Sequence, residues 1–245
     1  MSPARIEMPG IVLNRAKARV YRRWIESNYW YFLKDCCKTI DDRYAGAGLD
    51  PVRAFPVDEP YLQYLWFKAW KDRRVAANKF RQGMATNLYC VARKLVFVLF
   101  FEGSSSYILK RAFKEADIIL KTRIMGMWES IPERVRIKHE DGTIDEIEPK
   151  ELLPHPRYSA SDGSIIVERK DSKGGVLPPS FIYALEGSTE KARGITGSDA
   201  TIDEAAYTEN LIKVYTAITP AMEYVQLISS PRPGEYQRFF YSINS

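Results

Sequence analysis

Apolar residues along this chain keep two rhythms. Leu95–Phe101 (LVFVLFF) is the longest unbroken apolar run, seven residues, far short of the roughly 20 a membrane span needs. It reads as part of a buried helix from about Thr86 to Phe101. From Ala112 to Ser130, Phe113, Ala116, Leu120, Ile124 and Met127 recur at three- and four-residue steps, the stripe of an amphipathic helix. Helical texture also covers residues 13–40, Tyr61–Trp70 (opened by Pro60) and Ala206–Ile218, proline being suited to a helix's first turn. Strand texture marks Arg74–Phe80, Ser105–Lys110, Ser164–Glu168, Phe181–Leu185, Ala200–Ile202 and Tyr224–Ser229. Gly and Pro clusters make residues 45–60 a connector, and Arg81–Ala85 a polar turn. Residues 134–161 are loop-rich, the start of an insertion, 134–180, with no chemistry of its own. Strands alternating with helices predict an α/β fold with parallel crossovers.

Composition narrows the class. The 245 residues, 45% hydrophobic and 27% charged, suit one large globular domain or one and a half, and exclude a disordered or collagen-like chain. Residues 1–30 lack the apolar stretch of a leader peptide. Cys36, Cys37 and Cys90 have no metal-site spacing and suit a reducing compartment. Two histidines, His139 and His155, disfavour zinc-hydrolase and Ser-His-Asp chemistry. The net charge of +5 matters less than its distribution. Residues 1–38 carry eight basic and three acidic side chains; residues 68–94 carry eight basic against Asp72; residues 139–151 carry six acids against Lys150. Such runs fit either solvated faces or a surface for a polyanion such as phosphate or DNA.

Candidate chemistry lies in five segments. Lys79–Thr86 (KFRQGMAT) sits between a strand and a buried helix, where converging N–H groups, cations and a hydroxyl suit a phosphate with Mg²⁺. The usual G-x-x-x-x-G-K-[ST] pattern is not matched, since Ala85 replaces its lysine and Met84 its second glycine. Asp203-Glu204 closes a strand in two carboxylates; in an NTPase the first supports Mg²⁺ and the second orients water. Ser229-Ser230 closes another strand before a Pro/Gly turn. Arg193 lies ten residues before Asp203, and Gln63 eighteen before Arg81. Taken alone, each of the first three segments reads more readily as a capped turn.

In order and spacing together, YLQYLWFKAW, NKFRQGMAT, AFKEADIILKTRIMGMWESIP, FIYALEGSTEKARGITGSDATIDEAAY and LISSPRPGEYQRFF resemble the large subunit of tailed-phage and herpesvirus-type terminases, the DNA-packaging motors. The resemblance runs from about residue 60 to the end. Lys79–Thr86 is similar to that family's deviant Walker A segment, except that the glycine comes one position early, at Gly83, and Met84 stands in its place.

The resemblance implies a P-loop NTPase of the RecA-like type, a mostly parallel sheet flanked by helices. Residues 1–55 would form an N-terminal helical arm or lid over the nucleotide, and residues 56–245 the ATPase core. Gln63 would contact adenine; Lys79, Arg81, Gln82, Gly83, Met84, Ala85 and Thr86 would form the phosphate loop. Thr86 and Asp203, the latter the Walker B aspartate, would hold Mg²⁺. Glu204 would be the catalytic glutamate, with Arg81 in cis and Arg193 as a finger on a neighbouring subunit. Ser229 and Ser230 would couple hydrolysis to movement. The implied function is bacteriophage DNA packaging, driven by hydrolysis of ATP with Mg²⁺. Double-stranded DNA, a portal protein, a small terminase subunit and a homo-oligomeric ring would be the partners, in the host cytoplasm and at the procapsid portal, with no membrane. The family's nuclease domain finds no room in this sequence, so DNA cleavage is not expected. Two rivals remain: a degenerate P-loop module that binds nucleotide or DNA without hydrolysis, and a helicase-like translocase, which would need a second RecA-like domain.

Overall fold

The computed structural model describes residues 14–40, 48, 50–79, 84–171, 173–231 and 234–244. Two short strands, β1 (Lys38–Ile40) and β2 (Val52–Ala54), pair antiparallel in a ribbon. The central sheet has seven strands: β3 (Arg74–Asn78), β4 (Ser105–Lys110), β7 (Arg157–Ser159), β8 (Ser164–Lys170), β9 (Val176–Glu186), β10 (Gly197–Asp203) and β11 (Met222–Ser229). A second ribbon joins β5 (Val135–Lys138) to β6 (Ile144–Ile147). Across the central sheet the order is β3-β11-β10-β4-β9-β8-β7. The five strands from β3 to β9 are parallel, and β8 and β7 extend the sheet antiparallel. This is the mostly parallel α/β sheet expected, with β11 inserted between β3 and β10.

Helices cover both faces, as parallel strands buried on two sides require. One face carries the buried helix, π-wound over Asn87–Ala92 and α-helical over Arg93–Phe100, whose side chains are all buried. Beside it runs Phe113–Glu129, π-wound over Ile119–Ile124. Ala116, Leu120, Ile124 and Met127 of the expected stripe are buried, whereas Phe113, the first residue of the helix, is exposed. A second cluster on the other face gathers Leu109, Ala192, Ile202, Leu211, Val214 and Tyr236, from β4, β10, the helices Thr189–Arg193 and Leu211–Ile218, and the C-terminal helix Glu235–Asn244.

Several expected elements change. The helix foreseen over residues 13–40 breaks at Asn28 and Tyr29, both at positive φ, into Arg15–Glu26 and Trp30–Cys36, and ends in β1. These helices pack Trp24, Tyr29 and Phe32 around Phe100. Phe100 lies at the far end of the buried helix from Thr86, roughly 20 Å away at 1.5 Å per residue. At the other end β1, which follows these helices, approaches Thr86: Asn87 Nδ2 donates to Thr39 Oγ1 (3.1 Å) and the Ile40 carbonyl (3.2 Å). The loop-rich stretch 134–161 holds the β5–β6 ribbon, the short helix Pro149–Leu152 and β7. The helix expected at Ala206–Ile218 is a 3₁₀ turn, Ala205–Tyr207, followed by Leu211–Ile218.

Several charges of the basic and acidic runs are paired within the fold. Arg19 meets Asp145 through two bonds of 2.8 Å, and Lys17 meets Glu151 at 2.7 Å. Part of the N-terminal basic run thus neutralises part of the acidic 139–151 segment. In the 68–94 run, Arg93 and Lys94 are wholly buried, Lys68 pairs with Asp72, and the Arg74 guanidinium donates to the carbonyls of Glu223, Thr219 and Met222. Among the described residues no helix is long and apolar enough to cross a membrane.

Candidate nucleotide site

The site forms where β3, β11, β10 and β4 end, at the carboxyl edge of the parallel strands, which is where open α/β sheets bind ligands. Strand register brings the parts level. Asn78 pairs with Ser229 and Asp203 with Ile228, while the Lys79 N–H donates to the Ser229 carbonyl at 2.8 Å. Leu109 is opposite Ile202, so Lys110 lies level with Asp203 on its other side.

Three side chains converge on Asp203, whose carboxylate is 1% exposed. Lys79 Nζ donates to Asp203 Oδ1 at 2.8 Å and to Thr86 Oγ1 at 3.1 Å. Thr86 Oγ1 donates to the same carboxylate oxygen at 3.1 Å, across 117 residues of sequence. Lys110 Nζ reaches Asp203 Oδ2 at 3.0 Å and Glu204 Oε1 at 3.7 Å. The Glu204 N–H also donates to Asp203 Oδ1, at 3.0 Å. Burial pushes the Asp203 carboxyl up, but Lys79 and Lys110 outweigh it and hold it below the ordinary carboxylate range. Lys110 is pulled down by burial, yet Asp203, followed by Glu204, raises it overall.

A depressed carboxyl means that the unfolded chain binds the proton more readily. Its contribution to stability is therefore complete above the unfolded value near pH 4 and is lost as the pH falls through the folded one. Thermal melts of the ligand-free protein should lose stability below about pH 4, and Asp203→Asn should flatten part of that loss. Identical acid slopes in the two proteins would contradict the pairing.

The turn after β10 places Glu204 in the left-handed region (φ +57°) with its side chain 42% exposed. Its carbonyl accepts from the Tyr207 N–H. Ser229, fully buried, joins two parts of the edge: its carbonyl takes the Lys79 N–H and its Oγ takes the Ala206 N–H at 3.1 Å. Ser230, just beyond the strand, is half-buried.

Met84 has φ +52°, a conformation that favours glycine, at the position where the terminase pattern has one. Ala85 is buried and, with Thr86, already helical. Arg81, Gln82 and Gly83 lie outside the described residues. Gln63 is exposed on the helix Pro60–Asp72, whose start is tied to the site's edge by a hydrogen bond from the Tyr61 hydroxyl to the Asn78 carbonyl. Arg193 is exposed at the end of its helix and, among the described residues, is not one of the cations bonded to Asp203. The structure thus brings Lys79, Thr86, Asp203, Glu204 and Ser229 to one edge. Lys110 is the member sequence reasoning missed; its only signal was a lysine closing a strand.

The donor set suits magnesium. A hydroxyl and a carboxylate are hard oxygen donors, and Mg²⁺ is commonly held by one or two carboxylates together with substrate phosphates and water. Among the described residues no group of three or more His, Cys, Asp or Glu converges to cage a metal.

Comparison with solved structures gives partial matches. The chain is similar to the ATPase domains of phage large terminases. An arginine-to-alanine mutant of the Thermus phage P74-26 large terminase ATPase domain matches with a TM-score of 0.48 and 16% identity, over 83% of this chain and 74% of that one. The large terminase of another thermophilic bacteriophage matches with a TM-score of 0.44 and 12% identity, over 74% of this chain and 41% of that one. The complex of that second terminase with ADP matches at 0.41 and 13%, over 69% and 38%. No protein-family profile and no curated protein matches the chain.

Proposed function

We propose that this chain is the ATPase of a viral DNA-packaging motor, a large terminase ATPase domain that hydrolyses ATP to drive double-stranded DNA into a procapsid. The observation that carries the reading is the meeting of Lys79, Thr86 and Asp203, drawn from two segments more than a hundred residues apart. Such a convergence gives a capped turn no evident purpose and gives a triphosphate a cation, a hydroxyl and a carboxylate.

In the ligand-free protein Lys79 neutralises Asp203. The phosphates of ATP offer Lys79 another anion, leaving Asp203 and Thr86 to hold Mg²⁺, which when bound neutralises charge on the β- and γ-phosphate oxygens. Glu204, exposed at the rim, accepts the proton of a water whose oxygen attacks the γ-phosphorus in line, and ADP leaves. Arg81, with Arg193 of a neighbouring copy, stabilises the charge on the transferring group. Ser229, bonded both to Lys79 and to the turn after Glu204, passes the change at the phosphates to that turn, and Ser230 lies next to it. Gln63 reads the adenine. A portal protein, a small terminase subunit and a ring of copies complete the machine, in the host cytoplasm and at the portal.

The test is ATP binding and phosphate release by the chain with Mg²⁺, with and without double-stranded DNA. Lys79→Ala should weaken ATP affinity by about tenfold or more, the scale of one lost charge-assisted hydrogen bond. Unchanged affinity in that variant would remove the reading. Binding that is Lys79-dependent, without turnover at any protein concentration, would favour the degenerate nucleotide-binding module.

A further inference from the structure

We propose that Lys110 is a positioning residue for hydrolysis, its ammonium fixing the Glu204 carboxylate in place beside Asp203. This rests on the ATPase reading above.

Asp203 is gripped from two sides. Lys79 comes from the phosphate-loop side through Oδ1; Lys110 comes from β4, across β10, through Oδ2. Lys110 alone of the two also reaches Glu204, at 3.7 Å, and among the described residues it is the cation seen paired with that carboxylate. The two groups differ in freedom: the Lys110 side chain is 12% exposed, that of Glu204 42%.

Lys110 is also firmly rooted. It pairs with Glu186 in the β4–β9 ladder, and its carbonyl accepts from the Gly187 N–H at 2.7 Å. A cation carried on a central strand is a more precise anchor than one on a loop. Without it, a half-exposed glutamate in a tight turn would sample several rotamers, and few of them would face the attacking water. Because Lys110 stands on the side of Asp203 away from the phosphate loop, its loss should affect turnover rather than ATP binding.

The experiment measures kcat and KM for ATP with Mg²⁺ in the full chain, for Lys110→Met, Lys110→Arg, Glu204→Gln and the Lys110→Met/Glu204→Gln pair, with thermal melts of each. Lys110→Met should lower kcat by roughly 10- to 100-fold with KM changed less than about threefold. Lys110→Arg should recover most of that rate. In the Glu204→Gln background, Lys110→Met should cost nothing more, because residues acting as one unit are not additive. Full kcat in Lys110→Met, or a further loss in the double variant as large as in the single one, overturns the proposal. If Lys110→Met does not fold, Lys110→Gln and Lys110→Arg carry the same comparison. Turnover that depends on Glu204 but ignores Lys110 sinks this inference alone. Absence of any turnover in the unaltered chain, even at high concentration with DNA, sinks the ATPase reading and this inference with it.

Discussion

Glu204→Gln should leave ATP affinity within about twofold and lower turnover by roughly 10²- to 10⁴-fold, the range of a lost general base. That is about 3–5 kcal/mol of barrier. The substitution keeps the side chain's size and its place in the turn, and its backbone N–H still serves Asp203. What would disappear is the group we propose accepts water's proton. Glu204 suits that task because the strand ends one residue earlier: Asp203 is buried under two lysines, while Glu204 turns outward through a left-handed backbone to where water reaches it. Non-glycine residues held in that region concentrate at functional sites. A phosphate-release assay with a parallel binding isotherm decides the matter. Hydrolysis undiminished in Glu204→Gln would remove the assignment, and lost binding would point instead to a damaged turn.

The largest effect on stability is expected at Asp199, four residues earlier on the same strand. Arg93 Nε and Gln226 Nε2 each donate to Asp199 Oδ1 at 2.9 Å, and Lys94 Nζ bonds the other oxygen. All three charged side chains have no exposed surface. The Arg93 guanidinium also lies 4.2 Å from the centre of the Trp70 ring, with Phe97 and Tyr224 close by. Burial drives the Asp199 carboxyl up, but Lys94 and Arg93 bring it below its ordinary range. Burial lowers Lys94 more than Asp199 restores it. Two buried cations thus share one anion. Asp199→Ala would strand both, at about 3–5 kcal/mol, a large part of the roughly 5–15 kcal/mol by which domains are stable. Calorimetry should register a Tm lower by roughly 10 °C or more.

The sign of the pH response identifies the cause. With its anion gone, Lys94 would bind a proton less readily folded than unfolded, so raising the pH toward the lysine range should restore part of the loss. A packing defect would show no such recovery. Lys94→Met, which leaves Arg93 and Asp199 one to one, should be far milder. A change below about 1 kcal/mol in Asp199→Ala would mean that the cluster is not holding the buried helix to the sheet.

Arg93 and Lys94 also show where sequence reading stopped. In the linear pattern they belonged to a basic run, and nothing in neighbouring residues reveals that Asp199, more than a hundred positions later, lies across from them. The N-terminal basic run and the acidic 139–151 stretch were similarly visible as separate features, although Arg19 and Lys17 meet Asp145 and Glu151. Met84 was conspicuous as a departure from a glycine pattern, and the backbone there does take the conformation glycine prefers.

The sequence by itself determined what short-range physics controls. It specified most strands of the central sheet, the buried helix, and the parallel α/β class, because side-chain periodicity and turn residues act over a few positions. It also singled out Lys79, Thr86, Asp203, Glu204 and Ser229 by type and spacing. The tertiary structure alone decided the strand order that inserts β11 between β3 and β10, the placing of Lys110 against two carboxylates, and the burial of Arg93 and Lys94. Those outcomes depend on which strand lies beside which, a matter of long-range packing and desolvation that no local window contains.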